Sequence, residues 1–244
     1  MVKIFIKFFF IFFLFFPIKN FGQTILIDPG HGGIEEGTVY FEKNKSIKEK
    51  DITLEISKKI YEGFSKKNYT VFLTRSVDRT VTLNERAELA EKVKADFFIS
   101  IHVNSNPEVK ASGFETYYLN NHNDVAVKKM EKIENFQSLK NDKEIESILI
   151  DLVVDQTVKI AKPMAISIHE EIAKSVSKKY KMPNRGLRPS LFYVLALSKR
   201  PAVLLEVGFL STKKDRKNLL NKKFQKVYAD AVVNGLDKFL KKIK

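Results

Sequence analysis

The chain has 244 residues, 44% of them hydrophobic, and no cysteine. That length buries one substantial core without calling for a second domain, and the absence of thiols excludes disulfides, thiolate metal sites and cysteine nucleophiles. Any bound metal must therefore use His, Asp or Glu. Forty-three basic residues against 29 acidic ones give a net charge of +14, but the lysines are spread along the chain and no nucleic-acid-binding module accompanies them.

The first segment differs from the rest. Met1 to Lys7 carries two lysines, Phe8 to Phe16 is unbroken apolar sequence, and Asn20-Phe21-Gly22 closes on a small residue. This order reads as a secretory signal over residues 1–22, cleaved after Gly22. The alternative is an amino-terminal anchor, which needs about 20 apolar residues where this run offers about 15. Loss of Lys3, Lys7 and Lys19 with the signal leaves 40 basic and 29 acidic residues, or +11. For an exported protein, in the periplasm or fully secreted, such a charge favours acidic wall polymer or lipid headgroups, and peripheral association with the envelope. A solvated lysine-rich surface explains most of it.

Beyond the signal, short apolar β-branched or aromatic runs predict six strands: Thr24 to Asp28, Thr70 to Thr74, Asp96 to Ile101, Phe114 to Leu119, Leu191 to Leu195 and Ala202 to Glu206. Between them, Asp51 to Phe64 places Ile52, Ile56, Ile60 and Phe64 four residues apart, and Leu83 to Val93 repeats the pattern, so both are amphipathic helices. Such alternation implies an α/β domain over residues 23–244, a mostly parallel twisted sheet of about six strands with helices on both faces. Asn123 to Lys179 reads as a long helical stretch with breaks near Ser138 to Asp142 and at Pro163. Ile145 to Ile160 within it is too often charged to span a membrane, because Asp151 and Asp155 interrupt it. About 40 residues, 123–161, exceed a simple crossover and form an insertion. Lys214 to Ile243 closes the chain as a lysine-rich amphipathic helix pair.

Three polar residues follow or end predicted strands. His31 follows Thr24 to Asp28 through Pro29-Gly30, His102 follows Phe97 to Ile101, and Glu206 ends Ala202 to Leu205. If those strands are parallel neighbours, all three lie at the carboxyl edge of one sheet, where open α/β folds bind ligands. The glycines of Asp28-Pro29-Gly30-His31-Gly32-Gly33 let the backbone turn sharply around the imidazole. Apolar residues on both sides of Glu206 favour protonation of its carboxylate unless a cation is near, a setting that suits general-base work. Glu49 has two readings. Ser46-Ile47-Lys48-Glu49 fits a helix capping box, whereas two histidines and a glutamate with an open fourth position make an established zinc-hydrolase triad.

Together the blocks ILIDPGHGGIEEG (25–37), EKDITL (49–54), VFLTR (71–75), LNERAELAEKVKADFFISIHVNSN (83–106), GFETYYL (113–119) and FYVLALSKRPAVLLEVGFLS (192–211) resemble the zinc-dependent N-acetylmuramoyl-L-alanine amidases of the amidase-3 type. The resemblance implies that His31, Glu49 and His102 hold one zinc ion and that Glu206 is the catalytic acid/base. It implies cleavage of the amide bond between N-acetylmuramic acid and L-alanine in peptidoglycan, in wall turnover and daughter-cell separation, with activity falling at acid pH as the histidines protonate. In the cell-separation members a helical segment covers the zinc until a partner protein withdraws it. Asn123 to Ala161 occupies that place, with Glu134-Asn135 and the run Ile148 to Leu152 resembling the blocking segment. Two other functions remain on this evidence: a zinc peptidase acting within the stem peptide, and a wall-binding regulator without catalysis. Arg185 and Arg188 are candidates to hold stem-peptide carboxylates, and Arg75 to orient the site through Asp78 or Glu85. His122 and His169 receive no role.

Overall fold

The computed structural model describes residues 22–42, 45–106, 111–134 and 143–243. The elements in chain order are β1 (Thr24–Pro29), β2 (Val39–Glu42), β3 (Lys45–Lys48), α1 (Glu49–Ser65), β4 (Thr70–Leu73), α2 (Leu83–Lys92), β5 (Phe97–Asn104), β6 (Phe114–Leu119), α3 (Val125–Glu134), α4 (Lys143–Val176), β7 (Asn184–Ser190), α5 (Tyr193–Ser198), β8 (Ala202–Phe209), α6 (Lys213–Leu219) and α7 (Lys222–Lys242). The signal-peptide reading falls on residues outside this description, except Gly22. Among the described residues no helix is long and apolar enough to cross a membrane.

Six strands form one sheet in the order β4-β1-β5-β8-β6-β7, and β2 and β3 make a separate hairpin. The four strands β4, β1, β5 and β8 run parallel; β6 pairs antiparallel with β8 and carries β7 alongside in its own direction. The α/β class and the mostly parallel six-stranded sheet expected from the pattern are what the chain adopts.

Residue alternation divides the core. Ile25, Ile27, Phe97, Ile99, Ile101, Val203 and Leu205 face a layer containing Ile56 and Phe64 of α1, Met164 and Ile168 of α4, and Tyr228 and Leu236 of α7. Leu26, Phe98, Ala202 and Leu204 face the other way, against Ala90 of α2, Val127 of α3 and Leu195 of α5. The period of two therefore fixes a side for every strand residue. By that parity His102 and Glu206 share the second side, and Glu115 joins them because β6 opposes it to Glu206.

Two sequence expectations are corrected. Leu191 to Leu195 is not a strand: β7 precedes it, and Tyr193–Ser198 coils into α5. β7 has one neighbour only and reads NRGLRPS, so an edge strand without an apolar run carries the position, and its Pro189 is tolerated there. Pro163 does not break α4, which runs 34 residues through it. Pro163 is on the exposed face, where water can satisfy the carbonyl that its missing N–H releases. The other expected break, Ser138 to Asp142, lies outside the described residues.

Candidate metal centre

β1 ends at Pro29, and the chain turns through Gly30 to His31, whose φ of +57° is left-handed, an uncommon conformation for a residue with a side chain. Buried arginines hold this turn from beneath. Arg75 donates to the carbonyls of Pro29, Gly30 and Lys50, and Arg86 donates to those of Pro29 and His31. Arg86 also pairs with the carboxylate of Asp28, which accepts from Thr74 and Ser100 as well and stays ionised below the usual range because these partners outweigh its burial. Arg75 thus supports the site through backbone carbonyls. Asp78 instead accepts from Gly33 and Lys50, and Glu85 closes a capping box with Thr82.

Glu49 opens α1 but does not cap it: Lys48 is the N-cap residue and offers no side-chain bond, and Ser46 belongs to β3. The Glu49 carboxylate instead accepts the N–H of Thr38 at 2.8 Å and that of Val103 at 2.8 Å. Its Oε1 stands 3.3 Å from His31 Nε2 and 3.3 Å from His102 Nδ1. Neither ring nitrogen has a hydrogen-bond partner among the described residues, although both are buried, and the rings meet edge to face with centroids 4.9 Å apart. Two orphaned imidazole nitrogens facing one carboxylate oxygen fit a divalent cation, since an unpaired buried acceptor costs free energy that a metal bond would recover.

The electrostatics agree. Burial disfavours charge on both partners, yet the Glu49 carboxylate pushes His31 up to about 9, and the imidazoles hold Glu49 well below the ordinary carboxylate range. The ionised carboxylate that results is the form that would hold a cation. Glu206 is different. It is 1% exposed, its Oε2 has no hydrogen-bond partner among the described residues, and burial together with the nearby charges of Glu49, Glu134 and Glu115 drives its pKa well above the usual value.

A fifth residue enters from the insertion. Glu134, at the end of α3, places Oε2 3.3 Å from His102 Nδ1 and 3.8 Å from His31 Nε2. The ligand atoms of His102, Glu134 and Glu206 lie within 4.8 Å of one another, as do those of His31, Glu49 and His102. α3 is secured at its other residues. Met130 packs its sulfur on Asn104 and Tyr117, and Glu131 accepts the N–H of Leu191 at 2.5 Å while meeting His122 Nε2 at 2.7 Å. His122, given no role from sequence, thus ties the insertion to the body, and His169 bridges Thr116 and Asn184. Asn135 lies outside the described residues, as do the side chains of Ile148 and Leu149.

The fold therefore brings His31, Glu49, His102 and Glu206 together. The neighbourhood of Glu115 was missed in the sequence, where a lone glutamate inside a buried aromatic strand was the available signal. Glu115 is 2% exposed and accepts from Asn104, Tyr117 and Arg185.

The sequence pattern of the N-acetylmuramoyl-L-alanine amidase family matches residues 25–238. The N-acetylmuramoyl-L-alanine amidase AmiA of Escherichia coli (strain K12) is 29% identical over 223 residues, covering 88% of this chain and 75% of that protein. The crystal structure of an N-acetylmuramoyl-L-alanine amidase from Clostridium difficile 630 superposes with a TM-score of 0.69 at 30% identity, over 91% of this chain and 98% of that one. A TM-score of 0.68 at 28% identity, over 90% of this chain and 99% of that one, relates it to the CwlD amidase from Clostridioides difficile, solved in complex with the GerS lipoprotein.

Proposed function

Since the chain belongs to the N-acetylmuramoyl-L-alanine amidase family, we propose that it hydrolyses the amide bond between N-acetylmuramic acid and L-alanine in peptidoglycan, with one zinc ion held by His31, Glu49 and His102. The observation that carries this reading is the pair of buried, unpartnered imidazole nitrogens, each 3.3 Å from the same Glu49 oxygen. When bound, zinc supplies Lewis acidity that polarises the scissile carbonyl and acidifies water. Glu206 then takes the proton of the attacking water on Oε2 and delivers it to the departing alanine nitrogen. Its raised pKa, caused by burial and the neighbouring carboxylates, makes it a stronger base than an ordinary carboxylate and so suits it to take and hold that proton. Ionised Glu49 and neutral imidazoles are the forms that hold the metal.

In the same reading, residues 123–161 form an autoinhibitory insertion. Glu134 supports it, since its carboxylate stands among the metal-binding groups where a substrate oxygen would need to lie. An activator protein would withdraw α3, and the lipoprotein complex of a structural relative is a precedent for a bound partner. We further propose that residues 1–22 are a cleaved export signal and that the enzyme works in the periplasm or beyond it.

Digestion of purified peptidoglycan by residues 23–244, with products read by mass spectrometry, tests the activity. Intact stem peptides with a free alanine amino terminus are expected. Chelation should abolish their release, and Glu206→Gln should slow it by a factor of about 10²–10⁴. Cleavage within the stem peptide would establish the peptidase instead.

A further inference from the structure

Beside Glu206 the structure holds a group of charges that hydrolysis of the amide does not use. Glu115 opposes Glu206 across the β6–β8 pairing, and the β6–β7 register shifts between Phe114 and Thr116. That irregularity places an extra residue in β7 and lets both Arg185 and Arg188 meet Glu115, at 3.0 Å and 4.0 Å through their Nε atoms. Arg185 also lies over the ring of Phe209, its guanidinium carbon 5.1 Å from the centroid. Among the described residues its two terminal amino groups have no hydrogen-bond partner. Gly186 and Leu187 separate the two arginines, and a Cβ at Gly186 would meet no atom within 4 Å, so the chain beside Arg185 borders open space.

Two guanidinium groups face one buried carboxylate, which leaves a single positive charge in excess. The insertion neutralises it. Asp124 Oδ2 accepts from Arg188 at 3.0 Å, while Oδ1 of the same carboxylate accepts the N–H of Val127 and caps α3. The helix that carries Glu134 into the metal centre at its last residue thus places a second carboxylate on Arg188 just before its first.

We propose that Arg185 and Arg188 form a carboxylate-binding subsite that recognises a free carboxylate of the stem peptide, and that Asp124 is its stand-in when the insertion is closed. This rests on the amidase reading of the adjoining centre. Guanidinium groups suit the task, because their fixed fork matches a carboxylate in geometry as well as charge. Glu115 acts as the anchor: buried and bonded to Asn104 and Tyr117, it fixes Arg185 by Nε and leaves the remaining donors for the ligand. The arginines sit on β7, two strands from Glu206 on β8, so a peptide held there would run away from the scissile bond across β6 and β7.

The test compares two soluble probes, N-acetylmuramoyl-L-alanyl-D-glutamate and the same compound with its glutamate carboxylates amidated. Binding is measured by calorimetry on the zinc-loaded chain carrying Glu206→Gln and Glu134→Ala, which prevents turnover and removes the Glu134 carboxylate from the metal centre. The carboxylate probe should bind on the order of tenfold more tightly than the amide. Adding Asp124→Asn should widen that ratio without changing the amide's affinity. Arg188→Gln combined with Arg185→Gln should erase the ratio, and Arg188→Lys alone should retain part of it. Equal affinity for the two probes in the parent, or an unchanged ratio after both arginines are replaced, would overturn the subsite while leaving the amidase intact. If neither probe binds and the Glu206-containing protein releases no stem peptide, the amidase reading falls as well.

Discussion

Glu134 and Glu49 stand at the same distance, 3.3 Å, from one nitrogen of His102, the first reaching it from the insertion and the second from α1. One of the two is fixed by backbone N–H donors at Thr38 and Val103, and the other arrives at the end of a short helix. If the carboxylate from the insertion is the inhibitor, Glu134→Gln should raise the rate of stem-peptide release roughly 5- to 150-fold, the range of typical coupling between two states. Initial rates on purified peptidoglycan measure this. A fall in rate would instead make Glu134 part of the catalytic machinery.

Metal removal should be visible in stability as well as in activity. Zinc that binds the folded chain alone should stabilise it by about 2.7 kcal/mol at a hundredfold excess over Kd. For a chain of this size that corresponds to a rise in Tm on the order of 5–10 °C. Thermal melts with chelator, then with zinc restored, should differ by that amount, and His31→Ala should flatten the difference.

Gly37 is the residue on which His31 and Glu49, the proposed metal ligands, press. Its φ is +64°, and a Cβ there would come within 2.6 Å of both Glu49 Oε2 and His31 Cδ2. Gly37→Ala should therefore misplace two ligands at once and weaken zinc binding by about ten- to hundredfold, as losses around a metal site do. Competition with a zinc chelator reads the affinity, and circular dichroism should show the fold retained.

A pH effect lies far from the centre, at Asp237 on α7. Burial opposes its charge, but Lys241, Lys67 and the hydroxyl of Tyr69 outweigh burial and hold the pKa at about 2, below the ordinary 3.8. A pKa depressed in the folded state contributes stability that is present above 3.8 and lost as pH falls toward 2. Asp237→Asn should destabilise the protein at neutral pH and remove that part of its acid sensitivity, measured by denaturant melts from pH 2 to pH 6.

Most of the sheet was legible because four of its strands are buried and carry β-branched or aromatic runs. β7 was not. It lies at the edge beside a single neighbour, and the apolar run that follows it, Phe192 to Leu197, is the buried side of α5. Length separated neither reading, since a six-residue apolar segment suits a short helix as well as a strand. His31, His102 and Glu206 could be placed because each follows or ends a strand whose direction the alternating pattern implied. Glu49 could not be resolved locally: a serine three residues before it mimics a capping box, and only the β2–β3 hairpin, which puts Ser46 in a strand, removes that option. The contact of Glu134 with His102 was beyond reach of local pattern, because it depends on how α3 crosses the sheet edge.

The order of the sheet bears on when in its synthesis the molecule becomes dangerous to its polymer. β8, the last strand synthesised, lies between β5 and β6 in the middle of the sheet, and it brings Glu206. Until residues 202–209 insert, His102 has no strand beside it on that flank and the two halves of the sheet have nothing joining them. If Glu206 is the acid/base proposed above, a chain still being synthesised is incapable of hydrolysis however well its first hundred residues have folded, and a premature stop before Glu206 yields an inert product.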